Sequence, residues 1–567
     1  MSSSPKQEQL QQLLDEQHAS LQHTFPSDRR RSLLALTRAH DWHFLESQHI
    51  ESQHIELPNA SHYARGWQKA LSLCFSASAL HTSTRRADDT LDTWADTVLQ
   101  TCDRLAEGER ILDYCEIGFL HMQQGNDADY NVWIASKKMP TEWRERADLR
   151  WWTKLLAQLY VAELHALREE KEQIQQQLDI FVEQWDGHIS GIYKTTRTLD
   201  DYYQRLGVLS VKMMVCYDEY PPSVSIGGST FAEYREVLSV LVGYALKYSD
   251  MCKTLLVHHP SLSLRAYLAM PHNDTSLIEA LATDLALDRD TVRLALDAYT
   301  LDAENVSYHC SASDVPAPPL LRLDDQHRVW SLAGLLTEPL FFLKRELKRR
   351  YSYEYHTASH LREEVFRQDV YALFSDKRFV KSVGHVELRG TKGTLTTDVD
   401  ALIFDRKTGA LALFELKSQD PFAYSQQERT RQRDYFYGAS KQVLASIEWV
   451  KRNGVNALLG RLDPKQVKRL KAQNVYIFVL GRYLAHFFDG PEFDTRAAWG
   501  TWPQVLRLVN ANAFTADDAN PIQSLCNKLV RDTPLAFSSS LFSKQEIVIG
   551  DAYIHLYPSF EAYKNKF

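Results

Sequence analysis

The stretch Asp398-Val399-Asp400-Ala401-Leu402-Ile403-Phe404, followed by Arg406-Lys407-Thr408-Gly409 and Ala410-Leu411-Ala412-Leu413-Phe414-Glu415-Leu416-Lys417, decides how the chain reads. Two apolar runs of strand length flank a turn-forming break, which predicts a β-hairpin. Strand side chains alternate between faces, so Leu413, Glu415 and Lys417 share one side while Phe414 and Leu416 take the other. A four-residue turn over Arg406 to Gly409 sets Asp405 opposite Ala410. Counting back along both strands then sets Asp400 opposite Glu415.

Cross-strand neighbours lie roughly 5 Å apart at Cβ. Carboxylates that close raise one another's pKa unless a cation sits between them, and a hard, oxygen-seeking ion such as Mg²⁺ suits them. Lys417 stands beside that cation, where it can steady a hydroxide nucleophile or the charge building on a phosphate under attack. Asp398 shares a face with Asp400. It is the alternative ligand, although the four-residue turn points it to a salt bridge with Lys417, and Asp405 reads as a turn residue.

These residues resemble the PD-(D/E)xK nuclease superfamily, and look most like its nuclease-related-domain and archaeal-resolvase-like branches, over about residues 351 to 480. The resemblance makes Asp400 the motif aspartate and Glu415 with Lys417 the (D/E)xK pair. Val399 stands where the family name asks for proline. A family glutamate on a preceding helix falls on the run from Ser359 to Phe374. There Phe366, Val370 and Leu373 make an apolar stripe that puts Glu363 toward the sheet, with Glu364 the second choice. A family glutamine on the following helix falls on Gln442, within Gly438 to Val450, and Val475 to Leu480 would be the closing strand. By this resemblance Asp400, Glu415, the Leu416 carbonyl and Glu363 hold Mg²⁺, for which Mn²⁺ can substitute. Lys417 stabilises the nucleophile and transition state, and Gln442 positions water or phosphate.

The chain has 567 residues, 44 % of them hydrophobic and 24 % charged, which fits several globular domains and excludes disorder throughout. A net charge of −8 excludes a protein coated in basic surface, so nucleic-acid contacts must be local. Arg429, Arg431, Arg433 and Lys441 are the candidate contacts, interleaved with Tyr424, Tyr435, Phe436 and Tyr437. Basic groups neutralise phosphates and rings stack on bases. Lys451, Arg452, Arg461, Lys465, Lys468, Arg469 and Lys471 continue the basic character. An earlier run, Lys344, Arg345, Lys348, Arg349 and Arg350, either tracks a nucleic-acid backbone or decorates a helix. Seven scattered cysteines without Cys-x-x-Cys spacing read as free thiols in a reducing compartment. No apolar stretch reaches the roughly 20 residues that span a bilayer, so the expectation is a cytoplasmic protein with no membrane contact.

Apolar residues every three or four positions predict helices up to about residue 310, among them one from Trp151 to Leu178. Pro221-Pro222 and Gly227-Gly228 break the pattern, and the tandem Glu46–Ile50 and Glu51–Ile55 repeat reads as a loop or helix end. Ser276-Leu277-Ile278-Glu279 carries a capping-box signature for a helix ending near Leu285, with another starting at Asp288 to Asp290. Val315-Pro316-Ala317-Pro318-Pro319 marks the best boundary, and a small hairpin follows from Leu320 to Ser331.

The expected architecture is α+β and multidomain. A helical region spans 1–314, a linker with hairpin and connecting helix 315–350, a restriction-endonuclease-like α/β/α domain with a mixed sheet 351–485, and an extension packing on it 486–567. The expected activity is metal-dependent hydrolysis of phosphodiester bonds in nucleic acid, DNA before RNA. The resemblance also implies bacterial genome defence or repair. A catalytically inactive nucleic-acid-binding or protein-interaction scaffold is the alternative, and a homodimer or separate partner protein stays open.

Overall fold

A computed structural model describes residues 5–26, 28–51, 60–77, 89–124, 129–136, 138–185, 195–311, 316–390, 394–423, 425–468, 470–488, 490, 493–515, 517–531, 545–557 and 559. Tyr424, Arg469, Val315 and Ser52–Ile55 of the repeat lie outside them. The helical periodicity is realised in α1 (Pro5–Gln22), α2 (Arg29–Glu51), α3 (Ala60–Ala77), α4 (Asp89–Glu116), α5 (Thr141–Leu159), α6 (Val161–Glu183), α7 (Arg197–Lys212), α8 (Phe231–His258), α9 (Asp274–Leu285), α10 (Arg289–Ala298) and α11 (Val306–His309). The single helix expected from Trp151 is two, α5 and α6, divided at Tyr160, which leaves helical geometry at ψ 22°. Asn273, not Ser276, caps α9: its side chain accepts from the Ser276 N–H. No helix among the described residues is long and apolar enough to cross a membrane, and all seven cysteines are free.

Strands enter this region where alternating runs find partners. The hairpin β1 (Leu120–Gln124) and β2 (Asp129–Ile134) is one, and β3 (Ser225–Ile226) with β4 (Ser229–Thr230) turns through Gly227 and Gly228 at φ +69° and +88°. The short β5 (Pro271–Asn273) and β6 (Thr300–Leu301) flank the expected hairpin of β7 (Leu320–Asp324) and β8 (His327–Trp330) in the mixed order β5-β8-β7-β6. The segment 315–350 is therefore not a linker. Its hairpin is half of a sheet begun before the proline run, because a two-stranded apolar ribbon must bury its face against something. The helices α12 (Leu332–Leu336) and α13 (Pro339–Arg350) continue inward, with Leu340, Phe342 and Leu343 fully buried.

Next come α14 (Ser352–Ala372), β9 (Phe379–Lys381), β10 (Val386–Arg389), β11 (Leu395–Val399), β12 (Ala401–Asp405), β13 (Ala410–Lys417), α15 (Gln426–Asn453), α16 (Asn456–Leu459), α17 (Pro464–Val467), β14 (Asn474–Gly481), β15 (Ala498–Thr501), α18 (Trp502–Asn510) and α19 (Pro521–Arg531). A five-stranded mixed sheet runs β15-β14-β13-β12-β9, with β13, β14 and β15 parallel and β12 antiparallel to both its neighbours. Helices α14, α15 and α19 pack against it. All eight residues of β13 are buried, which is why its sequence is apolar on both faces until Glu415.

The last strands, β16 (Gln545–Ile549) and β17 (Ala552–Tyr557), do not extend this sheet. They leave it and pair β17 in parallel with β2, giving the order β1-β2-β17-β16. Ile549 and Ile554 enter a separate core with Leu14, Trp67, Leu99 and Val132. The expected extension over 486–567 is thus split. Its first part, β15 with α18 and α19, completes the five-stranded sheet, and its last part closes the helical region.

Candidate active site

The hairpin forms in the expected register: Ala401 pairs with Phe414, Leu402 with Leu413, Ile403 with Ala412 and Phe404 with Leu411. One step further sets Asp400 beside Glu415. The turn is closed by the Gly409 N–H donating to the Asp405 carbonyl at 2.9 Å, with Gly409 at φ +70°. Asp405 is more than a turn residue. Fully buried, it accepts both Arg378 Nε and a terminal Arg378 nitrogen at 2.7 Å, together with the Lys407 N–H and the Thr408 hydroxyl.

The first run is not one strand, however. Asp400 is a bend between β11, which pairs with β10, and β12 in the main sheet. The Asp400 N–H donates to the Phe414 carbonyl at 3.0 Å, and its Oδ2 accepts the Leu416 N–H at 2.6 Å. That side-chain bond takes a donor that a continuing strand would have paired with a carbonyl, so the ladder ends and β11 turns away. Asp398 is carried off with β11, opposite Glu387, and the expected Asp398–Lys417 salt bridge does not form. Lys417 Nζ instead meets Glu415 Oε1 at 2.5 Å and donates to Gln442 Oε1 at 3.2 Å.

The predicted helix is α14, longer than expected at its start. Phe366 and Val370 are buried, but Leu373 is only half-buried at the C-cap and Phe374 takes the core place. Glu363 is half-buried and makes no hydrogen bond or ion pair among the described residues, whereas Glu364 turns aside to Arg367 and Gln368. Residues 431, 435, 438 and 442 form one stripe of α15 at helical spacing. Gln442 reaches Lys417, and the Tyr435 ring lies 5.2 Å from Lys417 Nζ.

Electrostatics ties these groups together. Burial, then the charge of Asp400, pushes Glu415 up to about 8. Burial and Asp400 likewise raise Glu363, and burial with Asp398 raises Asp400, against the pull of the Leu416 N–H and Lys417. Burial opposes the Lys417 charge, yet Glu415, Tyr435 and Asp400 hold its pKa above the ordinary lysine value. Among the described residues no three His, Cys, Asp or Glu side chains form a ready metal cage. The donor set is nevertheless three carboxylates, with Asp400 hindering the ionisation of Glu363 and Glu415, Glu363 unpaired among the described residues and Asp400 using one oxygen on a backbone N–H, and this oxygen chemistry fits a hard divalent cation. The Leu416 peptide, whose N–H meets Asp400, turns its carbonyl to the same strand edge.

The basic candidates separate. Arg431 and Lys441 are exposed on α15, and Arg433 is half-buried against Asp434 at 3.0 Å. Arg429 is 5 % exposed and commits its guanidinium to Glu145 at 2.9 Å and Glu142 at 3.4 Å, both on α5, so it joins elements rather than facing a phosphate. In the run from Lys344 to Arg350, Lys344 is buried on Glu219 and Asp420, Arg345 donates to the Phe422 and Tyr308 carbonyls, and the half-buried Lys348, Arg349 and Arg350 pair with Glu428 and Glu346. Sequence reading missed Glu219, Arg362 and Asp420. Arg362 adjoins Glu363 and Asp420 follows Lys417 by three, but no local signal brings Glu219 to them.

No protein-family model matches the chain, and no curated protein or solved structure is significantly similar to it.

Proposed function

We propose that this protein is a Mg²⁺-dependent phosphodiesterase of the PD-(D/E)xK type that hydrolyses nucleic acid, DNA before RNA, in a role such as bacterial genome defence or repair. The observation that carries the reading is the meeting of Glu363, Asp400, Glu415, Lys417 and Gln442 from one helix, one bend, one strand and a second helix. Asp400, Glu415, Glu363 and the Leu416 carbonyl would hold the metal. A bound Mg²⁺ supplies a Lewis acid for the phosphate and acidifies water.

The chain's own groups do the remaining work. Lys417 keeps its positive charge where negative charge builds on a phosphate. Gln442 fixes the lysine head at 3.2 Å and offers its amide N–H₂ to a water or phosphate oxygen. Tyr435, more than half exposed beside Lys417, offers a ring face to a base, and Arg431 lies one turn before it for a neighbouring phosphate.

One observation favours a second reading. Lys417 Nζ already occupies Glu415 Oε1 at 2.5 Å, and Asp400 is already satisfied by a backbone N–H, as in a scaffold that binds nucleic acid without cutting it. Purified protein incubated with labelled single- and double-stranded DNA and RNA in Mg²⁺, Mn²⁺ or EDTA separates the two. The phosphodiesterase cleaves in the metals only, and its Asp400→Ala and Lys417→Ala variants remain folded but do not cleave. Gel shifts without cleavage in either metal support the scaffold, and cleavage retained by Lys417→Ala defeats the site assignment.

A further inference from the structure

Two cations and two anions meet beside the site, Lys344, Arg362 and Glu219 buried and Asp420 half-buried. Lys344 on α13 lies 2.5 Å from Glu219, in the turn after α7, and 2.8 Å from Asp420, beyond β13. Arg362 on α14 meets the same two acids, Asp420 at 2.8 Å and Glu219 in direct contact. Glu219 and Lys344 are each 2 % exposed and Arg362 4 %. Burial alone would raise Asp420 and Glu219, but Arg362 and Lys344, joined at Asp420 by Lys348, hold both below the ordinary carboxylate range. The charges balance, which is the condition for burying ions without losing the fold.

The attachments of this quartet are specific. Arg362 immediately precedes Glu363, and Asp420 follows Lys417 by three residues. Tyr355 donates to Asp420 Oδ2 at 2.9 Å, and the Asp420 carbonyl accepts Gln432 Nε2 at 2.8 Å from α15, the helix that bears Gln442. A second acid of the helical region grips the same loop: Glu145 accepts the Phe422 N–H at 2.9 Å, holding Phe422 at φ +57°, a backbone state that a phenylalanine keeps only when its surroundings impose it. Every element bearing a site residue that departs from the hairpin thus converges on groups held from the helical region.

We propose that Glu219 is a positioning residue for the site. Through Lys344, Arg362 and Asp420 it fixes Glu363 relative to Lys417, so the helical region completes the nuclease rather than accompanying it. The proposal rests on the phosphodiesterase reading. Its test compares the full-length protein with Glu219→Gln and with Glu219→Gln/Lys344→Met, which restores charge balance without the acid. Melting temperature, kcat and KM on labelled single-stranded DNA in Mn²⁺, and hydrogen exchange across 410–423 and 474–481 are measured for each.

The expected result is a kcat lower by about 100-fold, the loss typical of a catalytic group displaced by about 1 Å, with KM nearly unchanged. In the double variant the melting temperature recovers but kcat does not. Exchange over 418–423 speeds up in both variants, while β14 stays protected. Recovery of kcat together with melting temperature, or unchanged exchange over 418–423, overturns the proposal. If the wild type cleaves no substrate, the phosphodiesterase reading falls, and the exchange measurement alone still decides whether Glu219 holds the loop.

Discussion

Glu415 is a buried carboxyl that holds its proton. Its pKa rises from 4.5 to about 8, so without a cation it keeps its proton at neutral pH. A folded pKa above the unfolded one means that its stabilising contribution is complete below 4.5 and is lost as pH climbs through about 8. If the proposed phosphodiesterase reading is right, a divalent ion has to displace that proton, so Mn²⁺ affinity should weaken by about tenfold for each pH unit below 8. Calorimetric titrations from pH 6 to pH 9 measure this slope, and a flat profile would place the ion elsewhere. Arg429 and Arg431, two positions apart, should behave oppositely. Removing Arg429 strands the buried Glu145 and should cost about 3–5 kcal/mol in denaturant unfolding. Arg431→Ala should leave stability alone and reduce the salt slope of DNA binding by about one. Glu415 and Lys417 stood out in the sequence because charge at the end of an apolar strand is a local signal, whereas Gln442, which meets Lys417, was picked only through the family resemblance. The sequence could not distinguish Arg429 from Arg431, because their difference lies in Glu145, 284 residues away.

Among the elements, the turn at 406–409 carries the most leverage, since its length alone brings Asp400 level with Glu415. Gly409 holds φ +70°, and a Cβ there would lie 2.9 Å from Gln473 Cγ and 3.0 Å from the Lys471 carbonyl oxygen. Gly409→Ala should therefore cost at least about 1–2 kcal/mol, the usual penalty for a left-handed L-residue, read as a lowered melting temperature. The register was legible because glycine and the polar turn fix loop length, and strand periodicity does the rest. The bend at Asp400 was not legible. Nothing in Asp398-Val399-Asp400-Ala401 reveals that a carboxylate will take the Leu416 N–H and send β11 off to β10. Helix α14 was readable by its stripe, although Phe374 replaced Leu373 once the helix ended and changed which side chain faced inward.

At the scale of the molecule, local pattern gave the class of each segment but not its neighbours. The β7–β8 hairpin looked like a spacer and is half of a sheet. The strands at 545–557 looked like a covering for the nuclease-like part and belong instead to β1 and β2. Pairings of this kind depend on which apolar faces remain uncovered after the rest has packed, which a linear reading does not contain. Ile554, fully buried in the core shared with Val132 and Leu14, tests the arrangement. Ile554→Ala should cost about 2–5 kcal/mol, with faster hydrogen exchange in 129–134 and unchanged exchange in β13 and β14. Tyr557 meets Asn131, 426 positions away along the chain. During translation the ribosome delivers every residue of the five-stranded sheet before β17 is made, so the edge of β2 that β17 covers stays open until then. A truncated product ending before β16 would carry a finished hairpin and site residues beside an open apolar edge, prone to capture by chaperones or proteases before it could act.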